Sequence, residues 1–181
     1  MKWKVLESEY LFNEPWLTVK KEKCELPNGR LMPAYYILEY PGWVSGFALT
    51  KDGKVVMVKQ YRHGLGLIST ELPGGVIDKG ETPEVAIARE LKEETGYVFE
   101  SFEFLGKICA NPATTNNYMY MFVARGGEKV ADQSLDDTED VEVVIYTIEE
   151  VKQMLRDHQI VQALHTSTIF YALERLGEAK Y

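Results

Sequence analysis

The segment from residue 74 to residue 97, GGVIDKGETPEVAIARELKEETGY, constrains the fold more than any other part of the chain. Its second half predicts a helix that begins after Thr82, because threonine caps helices and Pro83 suits the first helical position. Apolar residues recur along it at helical spacing, and Gly96 is a typical helix end. The segment therefore predicts a glycine-rich turn that leads directly into an amphipathic helix.

Acidic residues crowd together on this helix. Glu90 and Glu94 are one turn apart and Glu93 is next to Glu94, so carboxylates of like charge share one side of the helix. Such pairs repel by roughly a few tenths of a kcal/mol each. A solvated face with an Arg89–Glu93 ion pair is one explanation. The other is a divalent cation among the acids, since carboxylates and bare backbone carbonyls are the hard oxygen ligands that Mg²⁺ and Mn²⁺ prefer.

The rest of the chain predicts a mixed α/β protein with many strands in its first third. Residues 16–40 alternate roughly between apolar and polar around Asn28-Gly29, and residues 42–62 form a second hairpin around Lys51-Asp52-Gly53. The run from Val55 to Val58 predicts a strand that is buried on both faces. Residues 64–70 are predicted to be a loop.

The second half of the chain predicts three more strands and two helices. The strands are expected at 102–110, 117–125 and 140–147, with an acidic loop at 126–140, and the helices at 148–158 and 160–177. Pro41-Gly42 marks a break. We therefore expect residues 1–41 to form a separate β lobe and residues 42–181 to form the main domain.

Composition excludes several classes of protein. The net charge is −8 and no run of Lys and Arg suggests a nucleic-acid partner. No apolar stretch approaches the length that spans a bilayer, and the N-terminus lacks the apolar core of a signal peptide. Cys24 and Cys109 are far apart, so we expect reduced thiols and a cytoplasmic protein without membrane partners. The histidines have no metal-ligand spacing and are assigned no chemistry: His63, His158 and His165.

The acid-rich segment resembles the Nudix box, G-x5-E-x7-R-E-U-x-E-E-x-G-U, in which U is a bulky apolar residue. Tyr97 stands at the last position, where an aliphatic residue is more usual. The matching residues are Gly75, Glu81, Arg89, Glu90, Leu91, Glu93, Glu94, Gly96 and Tyr97. The resemblance implies a Nudix α/β/α sandwich with a mixed sheet, here preceded by a small antiparallel β lobe. It also implies an enzyme that hydrolyses a nucleoside diphosphate linked to another moiety.

Roles for individual residues follow from the same resemblance. It implies metal ligands at Glu90 and Glu94, at Glu93 in support, and at the carbonyl oxygen of Gly74. The expected cofactor is Mg²⁺, with Mn²⁺ as an alternative. Arg89 would hold a box carboxylate in place, and Glu81 would have a similar structural role.

The flanking residues resemble the branch of ADP-ribose and nucleoside-diphosphate-sugar pyrophosphatases. The matching motifs are Gln60-Tyr61-Arg62 and residues 71–75, ELPGG, in which Gly74 replaces a commoner alanine. The resemblance implies that Arg62 contacts the substrate diphosphate, for which a guanidinium is well suited, and that Glu71 belongs to the substrate site. A surface salt bridge is the alternative for Arg62.

This branch also carries a catalytic glutamate in an acidic loop beyond the box. Here the loop is LDDTEDVEV, in which Glu139 aligns best and Asp137 and Asp140 are close. The resemblance implies that Glu139 is the general base or an additional metal ligand. An ordinary acidic loop is the alternative.

Aromatic and amide side chains outside the box are further candidates for substrate binding. In the resembling dimers the N-terminal lobe is exchanged between subunits, which implies a homodimer here and offers Trp16 and Trp43 for stacking on the base. Asn117, with Asn111 and Asn116 nearby, would lie close to the substrate. Ordinary packing of the tryptophans and turn formation by the asparagines are the alternatives.

Three functions follow from this comparison of motifs. The first is metal-dependent cleavage of ADP-ribose or a related nucleotide sugar, with GDP-mannose or a broad range of sugars as the alternative. The second is a Nudix module that binds nucleotides without cleaving them, and the third is cleavage of nucleoside triphosphates or dinucleoside polyphosphates. The first is favoured because all box acids are present and the chain has an N-terminal β lobe.

Overall fold

Two structural units are distinguished in the computed structural model, which describes residues 1–179. The first contains Met1–Pro41 and Cys109–Tyr118, and the second contains Gly42–Ile108 and the chain from Met119 onward. The segment Cys109–Tyr118 thus belongs to the first unit, whereas the sequence placed it in the main domain.

The first unit is an antiparallel sheet of three strands. They are β1 (Lys4–Glu14), β2 (Leu17–Glu25) and β3 (Leu31–Glu39), paired in this order. The predicted hairpin turn is confirmed between β2 and β3, where Gly29 has φ of 78°, a conformation that glycine adopts readily. All eleven residues of β1 are exposed, so this strand has apolar side chains in contact with solvent.

The second unit is built around a mixed sheet of seven strands. They are β4 (Trp43–Thr50), β5 (Val55–Arg62), β6 (Leu67–Glu71), β7 (Tyr97–Val98), β8 (Ser101–Ile108), β9 (Met119–Lys129) and β10 (Val141–Tyr146). The central order is β10-β5-β4-β9-β7, with β6 beside β5 and β8 beside β9. Strands β4 and β9 are parallel, and the other pairs are antiparallel.

Helices cover both faces of this sheet. They are α1 (Pro83–Thr95), α2 (Ile148–Arg156) and α3 (Ala163–Arg175). Ile87 and Leu91 of α1 pack on one face with Val56, whereas α2 and α3 pack on the other with Val55 and Met57. The α/β/α sandwich and the strand buried on both faces are therefore confirmed. None of these three helices, nor any other segment of residues 1–179, is a candidate membrane-spanning helix.

Two predictions about loops were wrong. Strand β6 begins within the predicted loop at 64–70 and pairs along its whole length with β5. Only the turn before it is irregular, and there Gly66 has φ of 68°. The acidic loop was also placed too early, because β9 continues to Lys129. In both cases the pairing with a neighbouring strand outweighs the weak local preference.

Candidate active site

The box helix α1 has the ends that the sequence predicted. The Thr82 hydroxyl accepts a hydrogen bond from the Val85 N–H, and Pro83 occupies the first turn. At the other end Gly96 is left-handed, with φ of 74°, and its N–H donates to the Lys92 carbonyl. These caps set where the helix begins and ends, and the packing of Ile87 and Leu91 on the sheet sets which side carries the acids.

The turn after β6 lies against β4 and is held there by its backbone. The Gly46 N–H donates to the Pro73 carbonyl at 3.1 Å, and the Val44 N–H donates to the Gly75 carbonyl at 2.9 Å. These two bonds tie the glycine-rich turn to the central sheet on both sides of Gly74. The turn is thus fixed on the rigid part of the fold.

Gly74 joins this turn to the box helix. Its N–H donates to Glu94 Oε2 at 2.8 Å. Its φ is 150°, and a Cβ built there would lie 2.2 Å from the Val44 carbonyl oxygen, so the observed backbone requires glycine.

Glu94 is buried and Glu90 is partly buried, and the pKa of each carboxyl is raised. Glu94 is only 5% exposed, and this burial, with the charges of Glu90 and Glu139 nearby, raises its pKa to about 8. Burial also raises the pKa of Glu90, as do Glu93 and Glu139, although Arg89 acts in the opposite direction. Buried groups with shifted pKa values are typical of functional sites.

Arg89 balances the remaining charge of the box. Its Nε and Nη2 donate to the two carboxylate oxygens of Glu81, each at 2.9 Å, and Nη2 also donates to the Val76 carbonyl. Its Nη1 donates to Glu90 at 2.9 Å and to Glu93 at 3.0 Å. One guanidinium therefore links the turn, the start of the helix and two of the crowded acids.

The donors of this site suit a hard divalent cation. As the side chains stand, no group of three or more His, Cys, Asp and Glu within residues 1–179 is arranged to hold a metal ion. Arg89 holds Glu90 and Glu93, and the Gly74 N–H holds Glu94. A cation would relieve the cost of ionising the buried Glu94 and the partly buried Glu90, and the carboxylates would offer it oxygen donors, which Mg²⁺ prefers.

Arg62 and Glu71 form a bidentate ion pair at the start of the same turn. Arg62 Nε and Nη2 donate to Glu71 at 2.9 Å and 2.5 Å. The Glu71 side chain is 1% exposed, whereas that of Arg62 is 46% exposed. Burial alone would raise the pKa of Glu71, but the bonds from Arg62 lower it. The hydrogen bonds to Glu71 raise the pKa of Arg62, and the charge of Glu94 adds a smaller effect in the same direction.

Glu139 lies in the loop before β10, as the sequence predicted. Its carboxylate accepts from the Asp136 N–H at 3.1 Å and is exposed. Its charge contributes to the raised pKa of both Glu90 and Glu94. The structure therefore brings Glu139 within electrostatic range of the two buried acids.

The aromatic and amide candidates have separate surroundings. Trp16 lies between β1 and β2 and is 80% exposed. Trp43 is half-buried at the start of β4 and packs beside Met119 and other core residues of the second unit. Asn117 is buried in the first unit, where its Nδ2 donates to the Pro41 carbonyl at 2.9 Å, and its Oδ1 accepts no hydrogen bond from the described residues.

Sequence reasoning missed one residue beside the site. His165 of α3 is buried, and its Nδ1 accepts from the Leu72 N–H at 3.2 Å, next to Glu71. No local pattern marks this histidine, because the contact depends on where α3 packs against the sheet.

Family models match both parts of the chain. Residues 41–164 match the NUDIX domain, and residues 3–38 match the nucleoside diphosphate sugar hydrolase N-terminal domain.

Individual proteins are similar over nearly the whole chain. The methanol dehydrogenase activator of Bacillus methanolicus is 32% identical, and the ADP-ribose pyrophosphatase of Bacillus subtilis (strain 168) is 31% identical. Each alignment covers 93% of this chain and 91% of the relative. The crystal structure of an ADP compounds hydrolase shares the fold, with a TM-score of 0.86, 24% identity, and coverage of 99% of this chain and 98% of that chain. With its complete box and these matches, the chain belongs to the Nudix family and is a Nudix pyrophosphohydrolase.

Proposed function

We propose that this enzyme hydrolyses the diphosphate of ADP-ribose or a related nucleoside diphosphate sugar and releases a nucleoside monophosphate and a sugar phosphate. Two features support this substrate class. The N-terminal residues 3–38 match a domain of nucleoside diphosphate sugar hydrolases, and a relative of similar length is named ADP-ribose pyrophosphatase. GDP-mannose and other nucleotide sugars are the nearest alternatives.

The observation that carries the proposal is the position of Glu90 and Glu94 beside the bare backbone of Gly74 and Gly75. A Cβ on Gly75 would lie 2.6 Å from the Glu90 carboxylate, so this acid packs directly on the turn. Nudix hydrolases generally use a divalent metal ion. We propose Mg²⁺, which Mn²⁺ could replace, with Glu90, Glu94 and the Gly74 carbonyl as ligands and Glu93 in support.

The remaining residues take the roles that their contacts allow. A bound divalent ion would neutralise charge on the diphosphate and lower the pKa of an attacking water. Arg62 would bind the diphosphate through the part of its guanidinium that is not engaged by Glu71. Glu139, which is exposed in the loop before β10, would accept a proton from the attacking water. Arg89 would hold Glu90 and Glu93 in place.

The apolar surface of β1 supports a homodimer. Leu11 and Phe12 are exposed on this edge strand, and Trp16 is exposed in the turn that follows it, which together form a surface that soluble proteins normally cover. A second copy of the chain would cover it and would place Trp16, with Trp43 and Asn117, among the candidates for contacting the nucleotide. Light scattering tests the proposed homodimer. If the protein is a monomer in solution, both the homodimer and the proposed role of Trp16 are rejected.

The cytoplasm is the proposed location of the protein. Cys24 and Cys109 are unpaired thiols, which suits a reducing compartment.

A panel of nucleotide sugars tests the proposed activity. Each is incubated with enzyme and Mg²⁺, and phosphate is measured after phosphatase treatment, which acts on the monoester products and not on the intact diphosphate. We expect the wild-type enzyme to hydrolyse ADP-ribose and the Glu90→Gln variant to lose this activity. Glu84→Gln should keep the activity, because Glu84 is an exposed acid on the first turn of the same helix.

The other outcomes separate the alternatives. Absence of turnover for all nucleotide sugars would reject the proposal. Binding without products would indicate a nucleotide-binding module, and turnover of nucleoside triphosphates alone would indicate the other class of Nudix enzyme.

A further inference from the structure

His165 contacts the start of the glycine-rich turn that follows β6. Its side chain is 7% exposed, on a helix that is distant in sequence from the box. Its Nδ1 accepts the Leu72 N–H at 3.2 Å. Leu72 is the first residue after β6 and is itself 1% exposed, so its N–H has no access to bulk water.

The hydrogen bond defines the protonation state of the imidazole. An Nδ1 that accepts from a backbone N–H carries no proton, so the proton of the neutral ring is on Nε2. Glu71 Oε2 lies 3.6 Å from the same Nδ1, and a protonated His165 would form an ion pair with it. Burial, aided by the charge of Arg62, lowers the pKa of His165 to about 4 despite the attraction of Glu71. His165 is therefore a neutral acceptor at physiological pH.

Two parts of the site lie on the backbone beside this hydrogen bond. On one side, Leu72 is two residues before Gly74, whose N–H holds Glu94. On the other side, Glu71 directly precedes Leu72, and its carboxylate binds Arg62 through two hydrogen bonds. Without the acceptor, a buried N–H would be left unpaired, and such groups are costly enough that the backbone moves to satisfy them.

We propose that His165 is a positioning residue for the hydrolytic reaction, because its bond to the Leu72 N–H holds the backbone that carries Glu71 and Gly74. In this proposal, His165 contacts neither the substrate nor the metal ion. The inference rests on the proposed function, in which the Gly74 carbonyl binds the metal ion and Arg62 binds the diphosphate.

Two substitutions test the effect of the hydrogen bond separately from the effect of the side-chain volume. In His165→Asn, the amide oxygen can occupy the position of Nδ1 and accept the Leu72 N–H. In His165→Leu, the volume is largely kept and the acceptor is lost. Thr168→Val is the matched control, because Thr168 is fully buried one turn later on α3 and its hydroxyl donates to the Leu164 carbonyl, not to the turn.

Three measurements are made on the purified full-length protein with ADP-ribose and Mg²⁺. They are the KM and kcat, the Mg²⁺ concentration for half-maximal activity, and the hydrogen-exchange rate of the Leu72 amide. A merely structural role would reduce the fraction of folded enzyme and therefore kcat alone. A positioning role changes KM or the Mg²⁺ requirement of the molecules that remain folded.

We expect His165→Leu to lose protection of the Leu72 amide and to lower kcat/KM by about tenfold or more, with a higher KM or Mg²⁺ requirement. His165→Asn should keep both properties within about threefold of wild type, and Thr168→Val should keep KM and the Mg²⁺ requirement.

The inference is overturned if His165→Leu keeps the wild-type KM and Mg²⁺ requirement, or if His165→Asn is as impaired as His165→Leu. A wild-type protein without turnover would instead reject the proposed function. In that case the dissociation constant of ADP-ribose in Mn²⁺ is compared between the same variants, and equal values for wild type and His165→Leu would overturn the positioning role.

Discussion

Substituting Gly75 by alanine should separate the activity of this enzyme from its stability. Gly75 does not have a left-handed backbone, so alanine is allowed by its φ. The added Cβ would lie 2.6 Å from the Cδ and Oε1 of Glu90. These atoms are the end of a side chain and can move, whereas the backbone that surrounds Gly75 is tied to Val44. The clash should therefore displace the Glu90 carboxylate.

The size of this displacement sets the expected loss of activity. The carboxylate must move by about 0.8 Å to reach ordinary contact at 3.4 Å from the new Cβ. A misplacement of about 1 Å in a catalytic constellation can cost about 100-fold in rate. We expect kcat/KM to fall by about 10- to 100-fold, with a higher Mg²⁺ requirement if Glu90 is a metal ligand. The Tm should change little, because alanine also reduces the entropy of the unfolded chain.

The matched control is Gly64→Ala. Gly64 lies in the turn before β6, has no left-handed φ, and has no heavy atom within 4 Å of a built Cβ. Both variants are compared with wild type by steady-state kinetics at several Mg²⁺ concentrations and by thermal unfolding. Wild-type kcat/KM and Mg²⁺ dependence in Gly75→Ala would refute the placement of Glu90 in the metal site. A large loss of Tm in this variant would refute the argument that the clash is relieved by a side chain.

Other substitutions and conditions test the remaining groups. Glu139→Gln should lower kcat by about 10²- to 10⁴-fold without a lower Tm, because it removes a base from an exposed loop; near-normal kcat would reject the role. Arg62→Ala should raise the KM for ADP-ribose and lower the Tm, since it leaves the buried Glu71 carboxylate unpaired; an unchanged KM would leave Arg62 as an ion-pair partner only. Because the folded pKa of Glu94 is raised to about 8, the metal-free protein should lose stability as the pH rises from about 4.5 to about 8. Saturating Mg²⁺ should therefore raise the Tm more at pH 8.5 than at pH 6, and equal increments in thermal unfolding at both values would contradict this assignment.

The features that the sequence predicted well are those determined by neighbouring residues. The bounds of α1 follow from Thr82, Pro83 and Gly96, which act on the backbone beside them. The buried strand at Val55 follows from a continuous apolar run. In contrast, β6 was missed because Gly64 and Gly66 suggested a loop, whereas the following residues pair with β5 and need that partner to become a strand.

The site shows the same division between local and distant determinants. The spacing of Glu90 and Glu94 on one helix was sufficient to expect a cluster of acids. The pairing of Arg62 with Glu71 was not predictable from spacing, since it depends on β5 and β6 lying side by side. The contact of His165 with Leu72 joins residues that are 93 positions apart. It exists only because α3 packs on that face of the sheet.

The structure also changes the explanation for why the chain tolerates its crowded acids. Each acid has a partner within the protein: Arg89 binds Glu90 and Glu93, and the Gly74 N–H binds Glu94. The raised pKa of Glu94 means that this group carries a proton through much of the neutral range, which removes one of the repulsive charges. These contacts and the raised pKa offset part of the repulsion among the box acids. The proposed metal ion would compete with the proton on Glu94 and with Arg89 for the Glu90 carboxylate, so the side chains would rearrange when it binds.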